Sequence, residues 1–562
     1  MRTRPAGSHL SGTSLAGVVQ REAVLWLAAA AALLIGLGCR VLGFGFVALW
    51  CFLAVAVLVA LAAPLPYALV SPLFSGVLGW LVDMLPLVGL AGWAAVVGRW
   101  AWILVRERRL PYGGRWVWLP VGLAAWTLLG IVVVDASDIK RFLLLAAIQV
   151  LLSATLLCVV DALRGIEDRV RIATGLVAFV VLLSAGVLLD WAGVPVQELQ
   201  DRSVSDRAEA AYGVDAFANN LPMVKYVRSR RSGGLELRRA LTRLRADNPE
   251  IPRFEVFRPK FQAFRESLVV RFAGSARPVA EELEALDITL MFDNVGLAPA
   301  NTIPRLRSFP RNSLTYSSTC AAVLALAFFL AWTQGGWRRR LGWIGVAGCL
   351  FGAAFSLARG AWVVILVGVL YLAVDGVLSL QRKLQVVAAF AAAAVILTAT
   401  FVLRYDIDPL TARAEALGSI NTRTELYEET LVSLGGVHLV LGYGTERPRT
   451  ESGVSHALGR YVPEAGTHST YLNFFFRTGI VGMIAIVVVY VLAWLRARAR
   501  ARASSDDVER TLATMLAASV VIVGVHGVVQ NLFTEPTYTL AVAMLLGMAM
   551  AAGSGVLRGA RV

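Results

Sequence analysis

The sequence predicts an all-α polytopic membrane protein with about 12–14 transmembrane helices. Its 562 residues are 57% hydrophobic and 16% charged, a balance far from that of a soluble globular domain. The mean hydropathy is +0.67. Apolar runs of 18 or more residues recur along the chain, and about 20 helical residues cross a hydrocarbon core of roughly 30 Å. The five cysteines lie within these runs without metal-ligand spacing, so we expect no disulfide and no metal site from them.

Fourteen apolar runs are candidates for these helices. The weakest is 67–83, where Pro64 and Pro66 precede the run and Pro72 lies inside it, so a crossing and a re-entrant segment both remain open. The first run lacks a small-residue cleavage site behind it, and we expect a retained helix there. The candidate helices cover residues 23–39, 41–63, 67–83, 85–105, 115–134, 140–163, 173–193, 314–333, 342–357, 360–379, 385–403, 470–495, 512–531 and 536–556.

The short loops predict the orientation of the chain. Arginine clusters such as Arg338–Arg340 and Arg496–Arg502 fall on one side, which the positive-inside rule makes cytoplasmic, together with both termini. Two large segments then lie outside the cytoplasm. The predicted division is 1–193 (N-terminal transmembrane helices), 194–313 (extracytoplasmic insert), 314–403 (transmembrane helices), 404–469 (extracytoplasmic loop) and 470–562 (C-terminal transmembrane helices).

The insert is basic and contains one amphipathic pattern. Leu235, Leu237, Leu241 and Leu244 recur among arginines, which predicts either a helix at the membrane surface or a solvated helix in a small folded domain. The positive charge favours an anionic partner such as a polymer, a diphosphate or lipid head groups. A nucleic-acid partner is not expected outside the cytoplasm.

His468 stands directly before an apolar run, on the predicted extracytoplasmic side. A helix N-terminus disfavours a protonated imidazole, and a neutral imidazole can accept a proton, so this position suits a general base. Ser469 or Thr470 can cap the helix. The alternative is that Thr467, Ser469 and Thr470 form only a capping cluster around the histidine.

Two arginines are expected at the same face. Arg359 lies between two apolar runs that are joined by almost no loop, and Arg423 lies in the second outer segment. Guanidinium groups bind phosphates through two parallel hydrogen bonds and stay protonated. The alternatives are an interfacial anchor for Arg359 and a local ion pair with Glu428 or Glu429 for Arg423.

His526 lies near the predicted outer end of the next helix. An ionisable residue inside a membrane helix is a candidate functional residue, and His526 is a candidate wall of the same vestibule. The alternative is an interfacial polar residue.

These residues carry a resemblance to a known family. The pattern H-S-x9-G-x-x-G, from His468 to Gly482, resembles the signature of the O-antigen ligase and O-antigen polymerase superfamily. The segment S-L-A-R-G-A-W around Arg359 is similar to the family's T-x-S-R-G segment, with Ala358 at its usual serine. N-T-R-T-E-L-Y around Arg423, followed by L-G-Y-G, resembles its R-x-x-x-W … G-x-G stretch, with Tyr427 at the usual tryptophan. The similarity spans roughly residues 310–535.

The resemblance implies a GT-C-type glycosyltransferase architecture and a specific reaction. Such enzymes move a glycan from undecaprenyl diphosphate to a hydroxyl of a glycolipid, glycan or protein acceptor, at the extracytoplasmic face of the bacterial inner membrane. The reaction inverts the anomeric centre and uses no metal or other cofactor. Arg359 and Arg423 would bind the diphosphate as catalytic residues, and His468 would be the base. Arg477, inside the histidine motif, would face the donor lipid or pair with a glutamate.

Two function classes compete. A ligase and a polymerase differ only in the acceptor, and these residues do not separate them. A flippase or transporter for lipid-linked oligosaccharides would also have many helices, but it should show two pseudo-symmetric halves, which this sequence does not display.

Overall fold

The computed structural model describes most of the apolar chain and short parts of the two large polar segments. The residues it describes are 15–42, 44–80, 85–111, 116, 118–134, 139–163, 165–191, 225–229, 234–249, 251, 254–257, 268–272, 288–290, 313–355, 359–405, 431, 435–444, 454–455, 460–461, 469–530 and 535–551.

Each of the fourteen predicted runs overlaps one described helix. These helices are α1 (Leu15–Val41), α2 (Gly45–Ala62), α3 (Leu65–Trp80), α4 (Leu85–Glu107), α5 (Trp118–Leu129, with a 3-10 turn at Gly130–Val133), α6 (Ile139–Ala162), α7 (Ile166–Trp191), α9 (Ser313–Thr333), α10 (Gly336–Phe355), α11 (Arg359–Val374), α12 (Leu380–Tyr405), α14 (Thr470–Ala503), α15 (Asp507–Val529) and α16 (Pro536–Ala551).

The prediction of an all-α polytopic membrane protein is confirmed. Among the described residues, nine helices are long and apolar enough to cross a membrane: α1, α2, α4, α6, α7, α9, α12, α14 and α15. Four shorter apolar helices, α3, α5, α11 and α16, accompany them. Helix α10 has 20 residues, but three arginines near its start lower its hydropathy.

The chain divides into two compact units. The first comprises Met1–Pro111 and Ala162–Gly175, and the second comprises Tyr112–Asp161 and Leu176–Val562. In the first unit, α3 is one continuous helix despite Pro72. Proline has no N–H to donate to the carbonyl four residues earlier, and the Ser71 hydroxyl donates to that Ala68 oxygen instead, at 2.8 Å.

The insert adds a small sheet to the helices. Strands β1 (Lys225–Ser229), β2 (Phe254–Phe257), β3 (Leu268–Phe272) and β4 (Ile288–Leu290) form an antiparallel sheet in the order β2-β3-β1-β4. Helix α8 (Gly234–Asp247) packs against β2, and its Leu237 and Leu241 are fully buried. The burial favours the small folded domain over a helix at the membrane surface. The second outer segment contributes the short helix α13 (Val437–Leu441) and a hairpin of β5 (Val454–Ser455) and β6 (Arg460–Tyr461).

The core of the second unit is built from α9, α15 and α16, with α14 packed beside them. Helix α9 is almost entirely buried although it carries several hydroxyl side chains. Small hydroxyl groups let helices approach closely, and they satisfy themselves on their own helix, as Thr319 Oγ1 does by donating to Thr315 O at 2.7 Å. This packing brings the starts of α9, α11, α14 and α16 to the end of α15.

Candidate active site

The start of α14 is fastened to the last turn of α15. Ser469 is the N-cap of α14, where its Oγ accepts from Leu472 N and donates to Gly527 O at 3.3 Å. The next two residues continue the contact: Thr470 Oγ1 donates to Gln530 O at 2.9 Å, and Tyr471 OH donates to Gly524 O at 2.7 Å. The residue directly before Ser469 is His468, which lies outside the described residues.

His526 joins three helices at the same place. It lies in the last turn of α15 and is only 4% exposed. Its Nε2 lies 3.3 Å from Ser318 Oγ of α9, and its Nδ1 lies 3.5 Å from Tyr538 OH of α16. His526 therefore cross-links the helices that surround the end of α15.

The first residue of α11 is Arg359, and this helix start lies against His526. A methyl group on Gly360 would meet His526 Nε2 at 3.5 Å and Val529 Cγ2 at 3.7 Å. The Arg359 side chain lies outside what the structure describes. Its backbone nevertheless begins α11 at the turn of α15 that also holds Ser469.

A break in α14 receives the L-G-Y-G segment. Gly479 has φ 67° and ψ −172°, which interrupts the helix and frees carbonyl groups in the turn before it. Tyr443 N donates to Phe476 O at 2.8 Å, and Gly444 N donates to Arg477 O at 3.0 Å.

The third freed carbonyl, that of Thr478, accepts from Trp126 Nε1 of α5 at 2.9 Å. The contact is close on both sides, because a side-chain carbon on Gly442 would overlap the Arg477 backbone and one on Gly479 would overlap the Val440 backbone. Two of the sequence motifs are thus one structural unit.

Aromatic rings cover this unit. The rings of His438 and Tyr443 stack with centroids 4.0 Å apart, and Tyr443 stacks on Phe476 at 4.8 Å. His438 Nδ1 also lies 3.0 Å from Gly442 O. The stack fixes the second outer segment on α14.

The structure places three of the five predicted site residues. The backbone of Arg359 begins α11 beside His526. Arg477 is buried in the turn before the break, with 4% of its surface exposed. Arg423 and His468 lie outside the described residues. The predicted choice for Arg477 between the donor lipid and a glutamate stays a prediction.

Sequence reasoning missed Ser318, Tyr538 and Asn473. The first two lie in apolar helices far from His526 in sequence, and no local pattern marks them. Asn473 had a signal, since it is a lone amide in the apolar run after His468. It is fully buried, and neither polar atom of its side chain has a hydrogen-bond partner among the described residues.

The opposite end of the same helices is held by ion pairs. Arg382 Nη2 lies 2.9 Å from Asp507 Oδ2, and Arg500 Nε donates to Glu509 Oε1 at 2.8 Å. Arg500 belongs to the cluster Arg496–Arg502, which the positive-inside rule predicts to be cytoplasmic. The end that carries Arg359, Ser469 and His526 is the other end of these helices.

The fold and the site together define a polytopic α-helical membrane protein in which the backbone of Arg359, the helix cap Ser469 and His526 lie at one end of a helix bundle. Residues 344–487 match the family described as O-antigen ligase. The match confirms the predicted resemblance to the O-antigen ligase and polymerase superfamily over this part of the chain, and the family indicates a glycosyl-transferring enzyme. The matched range includes Arg359, Arg423, His468 and Arg477, whereas His526 lies beyond its end. No curated protein matches the chain significantly.

Proposed function

We propose that this protein transfers a glycan from undecaprenyl diphosphate to an acceptor hydroxyl at the extracytoplasmic face of the bacterial inner membrane. One observation carries the proposal: Arg359 and Ser469, the neighbour of His468, both begin helices against the last turn of α15. The reaction needs a cation at the donor diphosphate and a base at the acceptor hydroxyl, so the two groups must lie close together. Convergence of the two segments supports that arrangement.

In the proposed reaction, the acceptor hydroxyl oxygen attacks the anomeric carbon of the donor glycan. The hydroxyl proton passes to His468, and the bond between the anomeric carbon and the diphosphate oxygen breaks. Attack from the face opposite the leaving group inverts the anomeric centre. Arg359 and Arg423 neutralise the negative charge that develops on undecaprenyl diphosphate. The proposed reaction uses no metal.

His526 is a positioning residue in this proposal. Its ring is buried and lies within hydrogen-bonding distance of Ser318 and Tyr538. The ring also lies next to the start of α11. A ring held from two sides fixes the backbone from which the Arg359 side chain projects. We expect membrane lipids and the donor's polyprenyl chain to contact the lipid-facing surface of the helices at the end that carries His526.

Replacing Arg359 by lysine is expected to lower transfer. Lysine keeps the positive charge but loses the two parallel hydrogen bonds to phosphate, so we expect kcat/KM for the lipid-linked donor to fall about tenfold. Steady-state kinetics at varied donor concentration test this. Arg340→Lys, at the other end of the bundle, is the control and should match the wild type. Wild-type kinetics for Arg359→Lys would contradict a phosphate-binding role.

Replacing Asn473 by leucine is expected to separate stability from activity. A buried amide with no partner in the part of the chain that the structure describes costs roughly 1–3 kcal/mol, so its removal should leave the unfolding temperature unchanged or raise it. We expect the amide to contact the substrate, so the same substitution should lower transfer several-fold. Thermal unfolding in detergent and transfer rates on the same samples give both values. A lowered unfolding temperature with normal transfer per folded molecule would show that Asn473 is only structural.

Transfer by the purified protein tests the function itself. The protein in nanodiscs receives a polyprenyl-diphosphate-linked glycan, a membrane extract as acceptor, and EDTA. Release of undecaprenyl diphosphate together with a new glycan product is the expected result, and the product's structure separates ligase from polymerase. Absence of any product in this assay, together with movement of the donor across the bilayer of liposomes that contain the protein, would overturn the proposal in favour of a flippase.

A further inference from the structure

A polar cavity lies at the end of the second unit that is opposite to the candidate active site. It has a volume of about 600 Å³ and is formed by the end of α9, the starts of α10, α12 and α15, and the turn before α12. Asp507 lines the cavity at the start of α15, and His526 follows 19 residues later in the same helix, which is roughly 30 Å at about 1.5 Å per residue. The cavity is therefore distinct from the candidate active site.

The cavity carries an excess of positive charge. Three arginines, Arg339, Arg382 and Arg510, line it together with one carboxylate, Asp507. Asp507 accepts hydrogen bonds from Arg382 at 2.9 and 3.3 Å and from Arg510 at 2.9 Å. One carboxylate thus serves two arginines.

Arg339 is the third arginine of the cavity, and it is not paired with Asp507. Its side chain is exposed, and no acidic group in the described part of the chain pairs with it. Arg382 is held more firmly, because it also donates to Thr511 Oγ1 at 2.9 Å. An anion that enters the cavity would meet one uncompensated guanidinium and two that are oriented by Asp507.

Two tryptophans complete the lining. The Arg382 guanidinium lies 5.7 Å from the ring centroid of Trp332, and Trp343 is partly exposed. The Trp332 indole nitrogen is buried and has no acceptor among the residues that the structure describes. Tryptophan is enriched at the level of lipid head groups, where one side of the ring is apolar and the other is wet.

We propose that this cavity binds the phosphodiester head group of an anionic phospholipid from the leaflet that meets this end of the bundle. Arginine forks match phosphate oxygens, and basic pockets between membrane helices are a known setting for anionic lipid head groups. Gln381 and Gln385 in the lining offer hydrogen bonds to glycerol hydroxyls. The apolar lining, with Val377 and Leu378, suits a lipid better than free phosphate, which has no apolar part.

Lipid retention by the full-length protein tests the site. Detergent-solubilised wild type, Arg339→Gln and Arg340→Gln are titrated with phosphatidylglycerol, and bound lipid is counted by native mass spectrometry. Arg340 is the matched control, because it is also exposed and on the same helix but does not line the cavity. One arginine at a lipid surface contributes about 1 kcal/mol, so Arg339→Gln should weaken binding about fivefold while Arg340→Gln matches the wild type.

Three results would overturn the proposal. Equal weakening by both substitutions would indicate general surface charge, and no weakening by Arg339→Gln would remove the cavity from lipid binding. Competition by inorganic phosphate or glycerol 3-phosphate at the concentrations at which phosphatidylglycerol binds would assign the site to a soluble anion. Phosphatidylcholine serves as the zwitterionic reference and should be retained equally by all three proteins.

Discussion

Transfer is expected to fall by about 10²–10⁴-fold when His468 is replaced by alanine, which is the usual contribution of a general base. Without the imidazole, nothing at this position accepts the proton of the attacking hydroxyl. The residue that follows it, Ser469, caps α14 and is bonded to Gly527, so the helix start should persist in the variant. Rates of undecaprenyl diphosphate release by equal amounts of folded protein measure the effect.

Two further variants make this result specific. His456→Ala changes another histidine of the same outer segment and should transfer at the wild-type rate. His468→Gln keeps a side chain that can form hydrogen bonds but cannot act as a base at neutral pH, and it should be as slow as His468→Ala. A glutamine variant with wild-type activity would mean that His468 only orients the acceptor or caps the helix.

Gly479→Ala is expected to destabilise the protein and remove most of its activity. Backbone with φ 67° and ψ −172° is accessible almost only to glycine, and strain of this kind costs about 1–3 kcal/mol. A side-chain carbon would also overlap the Val440 backbone. Relief of the overlap requires movement of residues 440–444 away from α14.

That movement would break the hydrogen bonds from Tyr443 and Gly444 to the freed carbonyls, and each buried group left without a partner costs roughly 1–3 kcal/mol. We therefore expect the unfolding temperature in detergent to drop by several degrees or more, with a parallel loss of transfer. Gly435→Ala is the control, because that glycine has open space around it and no positive φ. Equal unfolding temperatures for Gly479→Ala and the wild type would show that the break in α14 is not needed.

The sequence predicted the helices well, and the differences lie at their ends. The run at 342–357 became Gly336–Phe355 and the run at 470–495 became Thr470–Ala503, so both helices extend into arginine clusters. Hydropathy detects only the part that suits lipid. Arginine is a good helix former, so the backbone stays helical beyond that part.

Sequence could also propose Arg359, His468 and His526 as site residues, because charged or titratable groups are costly in an apolar chain and stand out there. It could not predict that Ser318 and Tyr538 hold His526. Nor could it predict the sheet of the insert, whose strands are three to five residues long and carry weak local patterns.

The amino-acid sequence by itself determined that the protein is a multi-pass helical membrane protein and where its apolar helices lie, because partition into lipid depends on about 20 consecutive side chains. Only the tertiary structure decided what meets at the end of α15 and how the break at Gly479 is filled. Those contacts join groups far apart in the chain, such as Ser318 with His526 and Trp126 with Thr478. Their physical cause is the packing of one helix against another and the need of each buried polar group for a partner, and neither is a property of any one segment.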